Sequence, residues 1–119
     1  MSKNISYISA WVTYSRQTVD LGSLPADTYV LRAHCHVTTA FNGSGTDTVT
    51  VGSDADPDAL VTSVDVSTTG VKAVTLGVSA GYNASAQPLK IFYVNGSGEP
   101  ATGAALIILE LAQVPDSPI

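Results

Sequence analysis

The two histidines of the chain are the residues whose spacing first suggests chemistry. His34 and His36 are separated by one residue, so on a β-strand both imidazoles point to the same side of the sheet. Two imidazoles placed in this way can form half of a metal site. The sequence has no third histidine, and no glutamate follows the pair closely. We therefore predict no metal site here and expect a polar outward face, or a subunit contact, whose charge changes near neutral pH.

Three carboxylates form a second cluster, at alternate positions from Asp54 through Asp56 to Asp58. Oxygen-rich loops with this spacing bind calcium in EF-hands. Ala59 occupies the position where the sharp EF-hand turn needs glycine, and no helical pattern flanks the loop, so EF-hand geometry is excluded. Two alternatives stay open: a looser calcium site, or a single helical turn that Asp56 caps and Pro57 opens.

No catalytic motif accompanies these groups. The sequence has no Gly-x-Ser-x-Gly elbow, no Gly-x-x-x-x-Gly-Lys phosphate loop and no Cys-x-x-Cys pair. Cys35 is the single cysteine, so the chain cannot form an internal disulfide. We predict a protein that is not an enzyme and has no catalytic residue, metal or cofactor. The competing hypothesis is a metal-dependent enzyme that uses His34 and His36.

The composition predicts the kind of element that carries these residues. The chain has 119 residues, of which 45% are hydrophobic and 13% are charged. Valine and threonine supply 27 residues, whereas lysine and glutamate supply five. Because β-branched side chains suit a pleated sheet better than a helix, an all-β fold is expected. The length fits a single domain over residues 1–119, with short flexible arms at Met1 to Ile5 and Val114 to Ile119.

Alternation of apolar and polar residues locates the strands. In the clearest segment Tyr29, Leu31, Ala33, Cys35 and Val37 fall on one face, with Arg32, His34 and His36 on the other. The other predicted strands are Ile5 to Thr13, Thr18 to Leu21, Asp47 to Val51, Leu60 to Val66, Lys72 to Val78, Leu89 to Val94 and Ala104 to Leu111. Seven to nine short strands separated by Gly, Pro and Asn turns predict an antiparallel β-sandwich of the jelly-roll type.

Two segments have apolar residues on both faces, which an exposed strand does not need. They are Ile5 to Trp11 and Ala104 to Leu111. A strand of this kind is covered on its outer side, either by a loop or by another subunit, or it is a short buried helix. We expect a homodimer or homotrimer, with Ile107, Leu109 and Leu111 as candidate interface residues.

Charge and hydropathy exclude two classes of partner. Only five basic residues are scattered along a chain of net charge −5, whereas nucleic-acid binding needs clustered Lys and Arg. No segment reaches the roughly 18 apolar residues of a membrane span. The first residues lack the apolar stretch of a signal peptide, so synthesis in a cytoplasm is expected.

The segment from Val51 to Val71 resembles a stretch found in small virion proteins of tailed bacteriophages. The ending is also similar: a Gly/Ala/Thr-rich turn, Asn95 to Ala104, leads into a terminal apolar strand. By size and style the chain looks like a capsid decoration, or cement, protein, and the similarity covers Thr46 to Leu111. The resemblance implies a jelly-roll module on the capsid surface that clamps neighbouring major capsid protein subunits as a dimer or trimer, without catalytic residues.

Comparable β modules also form tail-fibre and spike domains that bind receptors or carbohydrates. Such sites present an aromatic platform beside Asp or Asn. Trp11, Tyr14 and Tyr82 are the aromatic residues expected to face outward, and Asn83 follows Tyr82 directly. A receptor- or carbohydrate-binding module is therefore the alternative function.

Overall fold

Residues 5–77 and 81–113, which a computed structural model describes, form nine β-strands. The strands are β1 (Ile5–Thr13), β2 (Thr18–Leu24), β3 (Thr28–Thr39), β4 (Ser44–Gly52), β5 (Val61–Asp65), β6 (Gly70–Lys72), β7 (Gly81–Asn83), β8 (Gln87–Ser97) and β9 (Ala104–Gln113). The predicted arms lie outside the described residues, except for Ile5, which begins β1.

The strands form two sheets, and every pairing is antiparallel. The first sheet has the order β1-β9-β3-β6, with β7 also paired to β3, and the second has the order β2-β8-β4-β5. The pairs are nested along the chain, because β1 pairs with β9, β2 with β8, β3 with β6 and β4 with β5. A long ribbon folded over in this way is a jelly roll, so the predicted all-β sandwich is confirmed.

The core lies between the inner faces of the two sheets. Alternate residues of the long strands point into it, as the period-two pattern predicted. Its largest fully buried side chains are Phe41, Leu24, Leu89, Ile91 and Leu109. Phe41 stacks on Tyr93 with ring centroids 4.7 Å apart, and Gly103 leaves room for that ring, because a Cβ there would overlap it.

A bulge in β3 changes which residues face the core. The register of β3 against β9 shifts between Val30 and Arg32. Val30 therefore points inward before the bulge, and Cys35 points inward after it. Tyr29 and Leu31, predicted to share the apolar face with Cys35, are instead 43% and 40% exposed. The strand alternates as predicted on each side of the bulge, but the prediction that Tyr29 and Leu31 share the apolar face with Cys35 was wrong.

The strand predicted at Lys72 to Val78 was placed wrongly. β6 ends at Lys72, and the residues after it run beside β5 as an irregular segment, while Val78 lies outside the described residues. Thr62 donates its backbone N–H to the carbonyl of Thr75 at 3.0 Å, and Gly77 donates to the carbonyl of Leu60 at 2.8 Å. This segment covers the edge of β5 without forming a regular ladder. The three-residue β7 was not predicted.

Candidate interaction surface

The outer face of the first sheet carries an unusual number of large apolar side chains. We call it the aromatic face, and its apolar members are Ile5, Tyr7, Trp11, Tyr29, Val71, Tyr82, Leu106 and Ile108. Tyr7 is 64% exposed, Trp11 is 48% exposed and Val71 is 78% exposed. Large apolar side chains gathered on one face in this way typically mark a surface that a partner covers.

The strand register brings these residues side by side. Trp11 pairs with Leu106, Leu106 pairs with His36, and His36 pairs with Val71. These four side chains therefore form one row across the sheet from β1 to β6. The row contains a polar imidazole between two apolar neighbours, so His36 points outward, as predicted, and lies on the aromatic face.

An ion-pair cluster lies in the middle of the aromatic face. Glu110 Oε2 on β9 is 3.7 Å from Arg32 Nε and 3.8 Å from His34 Nε2 on β3. The Glu110 side chain is only 16% exposed, whereas those of Arg32 and His34 are more than half exposed. The carboxylate therefore lies within ion-pair distance of two basic side chains of β3.

Two tyrosines occupy the end of the aromatic face where β3 and β7 pair. The ring centroids of Tyr29 and Tyr82 are 5.1 Å apart and the planes are tilted by 47°. Tyr82 donates its hydroxyl to Asp27 Oδ1 at 2.5 Å, and this hydrogen bond raises the pKa of the tyrosine. Asp27 has a φ of 55°, so a left-handed turn residue positions the carboxylate. Tyr14, like Trp11 and Tyr82, is exposed, as the sequence predicted.

The residues predicted as a subunit interface lie in the core. Ile107 and Leu111 are each 2% exposed and Leu109 is fully buried, because these positions of β9 point toward the second sheet. Their side chains are already covered within one chain, so the candidate contact on β9 moves to its outward residues, Leu106 and Ile108. The sequence showed apolar residues on both faces of this strand, and its pattern did not show which face was inner.

The outer face of the second sheet differs in composition. It presents hydroxyl and charged groups from four strands, namely Thr18, Asp20, Thr48, Asp65 and Lys90. Lys90 Nζ lies 2.9 Å from Asp54 Oδ2. Val94 is a large apolar residue that is exposed on this face, at 51%, and Phe92 beside it is half-buried. We call the outer face of the second sheet the hydroxyl face.

The acidic loop folds as a β-turn and not as a helical turn. Ala59 donates its backbone N–H to the carbonyl of Asp56 at 3.1 Å, with Pro57 at the second position of the turn. The neighbouring Asp58 carboxylate raises the pKa of Asp56, through a hydrogen bond from the protonated form and through charge repulsion, and Asp54 is bound by Lys90. Within residues 5–77 and 81–113, no three His, Cys, Asp or Glu side chains are grouped to hold a metal ion.

A buried polar pair lies on the inner face of the second sheet. Tyr93 donates its hydroxyl to the carboxylate of Asp47, and both residues are more than 90% buried. Burial, helped by the hydrogen bond to Asp47, raises the pKa of Tyr93 to about 12. Burial also raises the pKa of the Cys35 thiol to about 11, so this cysteine is a core side chain and not a reactive thiol.

A small cavity lies beside the acidic loop in the described part of the chain. One cavity of about 180 Å³ lies between the acidic loop and the start of β8, lined by Ser53, Asp56, Asn83 and Leu89 among others. Typical small-molecule sites are larger, at roughly 300 to 1,000 Å³. In the described part of the chain, no helix has the length and apolar character needed to span a membrane.

Comparison with known proteins finds similarity in structure alone. No family model and no curated protein matches the chain. A chain of the cyanophage Pam1 capsid superposes with a TM-score of 0.70 at 15% identity, covering 96% of this chain and 88% of that one. A chain of the Ralstonia phage GP4 capsid superposes with a TM-score of 0.63 at 19% identity, covering 97% of this chain and 86% of that one. A chain of the Helicobacter pylori phage KHP30 capsid superposes with a TM-score of 0.60 at 11% identity, covering 94% of this chain and 90% of that one.

These similarities extend over nearly the whole chain, so the fold is one that occurs in phage capsids. The resemblance to β proteins of phage virions is therefore confirmed at the level of the fold. Tyr7, Leu106 and Ile108 were not predicted as members of the outer surface. The signal that could have found Tyr7 is its alternation with Ile8 and its shared parity with Trp11, which was already expected to face outward.

Proposed function

We propose that this protein is a capsid decoration, or cement, protein of a bacteriophage. In this proposal it is a non-enzymatic virion structural protein, made in the host cytoplasm, that binds the outside of the capsid. There it stabilises contacts between neighbouring major capsid protein subunits. The aromatic face is the observation that carries the proposal, on a jelly roll whose fold recurs in three phage capsids.

The aromatic face has the composition of a contact surface. Trp and Tyr are the residues that most often dominate binding energy, because each buries a large area with little loss of side-chain freedom. Trp11 and Tyr7 stand on the same strand and on the same side of it. A ligand that binds only the assembled shell stabilises that shell by mass action, which is how burial of this face would reinforce the joints between subunits.

The charged groups of the aromatic face support a structural role. Glu110 lies within ion-pair distance of Arg32 and His34, and none of the three lines the cavity beside the acidic loop. Groups arranged in this way fix the register of a contact through charge complementarity. We therefore propose no catalytic residue, cofactor or metal for this chain.

A sedimentation experiment tests the proposal. Undecorated capsids related to the three matched shells are mixed with the purified protein, and saturable co-sedimentation is expected. Trp11→Ser should weaken binding at least about tenfold, since a buried aromatic anchor contributes more than about 2 kcal/mol. Val94→Ser, an equally exposed apolar residue on the hydroxyl face, is the matched control and should change binding by less than about twofold.

Two results would count against the proposal. Absence of saturable binding to any related shell would reject the decoration function. Equal loss of binding in both variants would place the capsid contact outside the aromatic face. Circular dichroism of each variant shows whether the fold is retained.

The tyrosine pair supports a second candidate, a receptor- or carbohydrate-binding module of a tail fibre or spike. Tyr29 and Tyr82 present two adjacent half-exposed rings, and Asp27 lies beside them. Asn83, the polar partner expected from the sequence, is buried and donates its side chain to the carbonyl of Gly81 at 3.2 Å, so Asp27 takes that place. A glycan array probed with the wild type and Tyr82→Ala tests this candidate, and silence of both removes it.

A further inference from the structure

The edge of β1 that faces away from β9 is a second surface feature of the first sheet. β1 is an edge strand of the first sheet, and in the described chain its only ladder is with β9. The opposite side of β1 therefore presents backbone N–H and C=O groups that no described strand pairs. Edges of this kind are templates for another strand, and natural proteins protect them with short strands, bulges, charges or proline.

The other edges of the two sheets have such protection. β2 is interrupted by a register shift between Asp20 and Gly22, and Gly22 has a φ of 88°. Asp20 also places a charge in that strand. β6 and β7 have three residues each, and β5 is covered by the segment that includes Thr75 and Gly77.

β1 has none of these devices. Its nine residues, Ile5–Thr13, pair with β9 in an unbroken register and include no charged residue and no proline. It also carries Tyr7 and Trp11, two of the most exposed apolar side chains of the aromatic face. A long, regular and uncharged edge is the arrangement expected of a strand that is paired in the functional assembly.

Hydrogen bonds at the end of β1 show which of its residues point to the free edge. Thr13 and Arg16 exchange backbone hydrogen bonds at 3.2 and 3.1 Å on the side away from β9, whereas Tyr14 donates to Gly103, the residue before β9, at 3.1 Å. N–H and C=O groups alternate between the two sides of a strand. Ile5, Tyr7, Ser9 and Trp11 share the parity of Thr13, so their backbone groups point to the free edge.

We propose that β1 pairs with β1 of a second copy of this chain, antiparallel and about a two-fold axis at Ile8. This register pairs Ile5 with Trp11 and Tyr7 with Ser9, and uses every free-edge residue of β1 before Thr13. It forms about eight backbone hydrogen bonds. Ser9 is small, so it leaves room for the neighbouring Tyr7 ring on the aromatic face. The uncharged edge adds no repulsion between two chains of net charge −5.

The dimer joins the two first sheets into one and places both aromatic faces on the same side. This inference does not depend on the decoration function, because dimerisation is measured with the protein alone. Failure of capsid binding with an intact dimer would reject the proposed function only. Capsid binding by a monomer would reject the pairing only.

Sedimentation equilibrium of the full chain tests the pairing. The wild type should be a dimer, and Ser9→Pro should raise its dissociation constant at least about tenfold, since each copy loses an N–H donor at the interface. The ladder with β9 keeps its hydrogen bonds in this variant, because the lost N–H points away from β9. Ser9→Ala removes the same hydroxyl but keeps the N–H, so it should dimerise like the wild type.

Hydrogen exchange of the wild type provides a test that does not rely on the proline variant folding. The amides of Tyr7, Ser9 and Trp11 should be protected at high protein concentration and exchange faster on dilution, while those of Ile8 and Ala10 stay protected by β9. A monomer, a trimer, or a dimer unaffected by Ser9→Pro would overturn the proposal. Protection at 7, 9 and 11 that does not depend on concentration would also overturn it, by showing that the chain's own residues cover the edge.

Discussion

The two sheets have similar inner faces and very different outer faces. Inside, both contribute Val, Leu and Ile side chains to one core. Outside, the first sheet displays Trp11, Tyr7 and their apolar neighbours, whereas the second displays mainly threonine and aspartate. Folding requires only the inner faces to be apolar. The aromatic face therefore reflects a requirement beyond folding, and a covering partner is the simplest such requirement.

Single exposed apolar residues do not have the same meaning. Val94 on the hydroxyl face is about as exposed as Trp11. Its cross-strand partner is Thr48, however, and the cross-strand partner of the neighbouring Phe92 on β2 is Thr18. Scattered apolar residues are normal on protein surfaces, whereas contiguous patches are not. The two outer faces therefore differ in the neighbours of each exposed apolar residue and not in the exposure of any one side chain.

The largest effect on the free energy of unfolding is expected in β9, whose residues alternate between the core and the aromatic face. Leu109→Ala should lower the free energy of unfolding by about 3 kcal/mol, because it removes a fully buried side chain and leaves a cavity. Ile108→Ala, on the outward side of the same strand, should cost less than about 1 kcal/mol. Chemical denaturation of both variants measures the difference, and equal losses would contradict the assignment of the two faces.

An intermediate effect is expected at the buried polar pair of the second sheet. Tyr93→Phe removes the hydroxyl that donates to Asp47, so it should cost about 1 to 3 kcal/mol by leaving a buried carboxylate without that donor. Denaturation at neutral pH measures this cost. Tyr82→Phe, which also removes a hydroxyl donated to an aspartate, is the matched exposed control on the aromatic face and should be nearly neutral.

The same pair predicts a response to alkaline pH. The pKa of Tyr93 is raised from 10.0 to about 12 by burial and by Asp47, so folding favours the protonated phenol. Its stabilising contribution is complete below pH 10 and is lost as the pH rises from 10 to about 12. Thermal melts across that range should fall more steeply for the wild type than for Tyr93→Phe. Parallel curves would contradict the assignment.

The smallest effects are expected at the ion pairs of the two outer faces. Glu110→Gln on the aromatic face and Asp54→Asn on the hydroxyl face should each change the free energy of unfolding by less than about 0.5 kcal/mol. Melts at low and high salt measure both. A loss of several kcal/mol in Glu110→Gln would show that this cluster stabilises the fold itself and is not primarily a feature of the surface.

The sequence predicted the strands well because one property, alternation, determines both burial and pairing in most of them. It assigned Tyr29 and Leu31 to the wrong face because the bulge at residues 30–32 shifts the phase, and no residue type marks that position. β6 was misplaced because the segment after Lys72 alternates like a strand but lies irregularly beside β5. The length of this segment did not distinguish a regular strand from an irregular stretch.

The candidate surface was harder to predict than the fold. The histidines were correctly placed outward, because polar residues two apart in an apolar strand share a face. In β9, Ile107 and Ile108 are equally apolar, so composition did not separate core from surface. That assignment needed the pairing of β9 with β1 and β3, which is a tertiary property of residues far apart in sequence.

The nested pairing of the strands has a consequence for the time course of folding. β9 lies between β1 and β3 in the first sheet, although it follows all the other described strands along the chain. During synthesis β1 cannot pair with β9 until about a hundred further residues have left the ribosome, and contacts between such distant segments form slowly. The β1-β9-β3 part of the first sheet therefore forms only after β9 has been translated, whereas β3 can pair with β6 and β7 earlier.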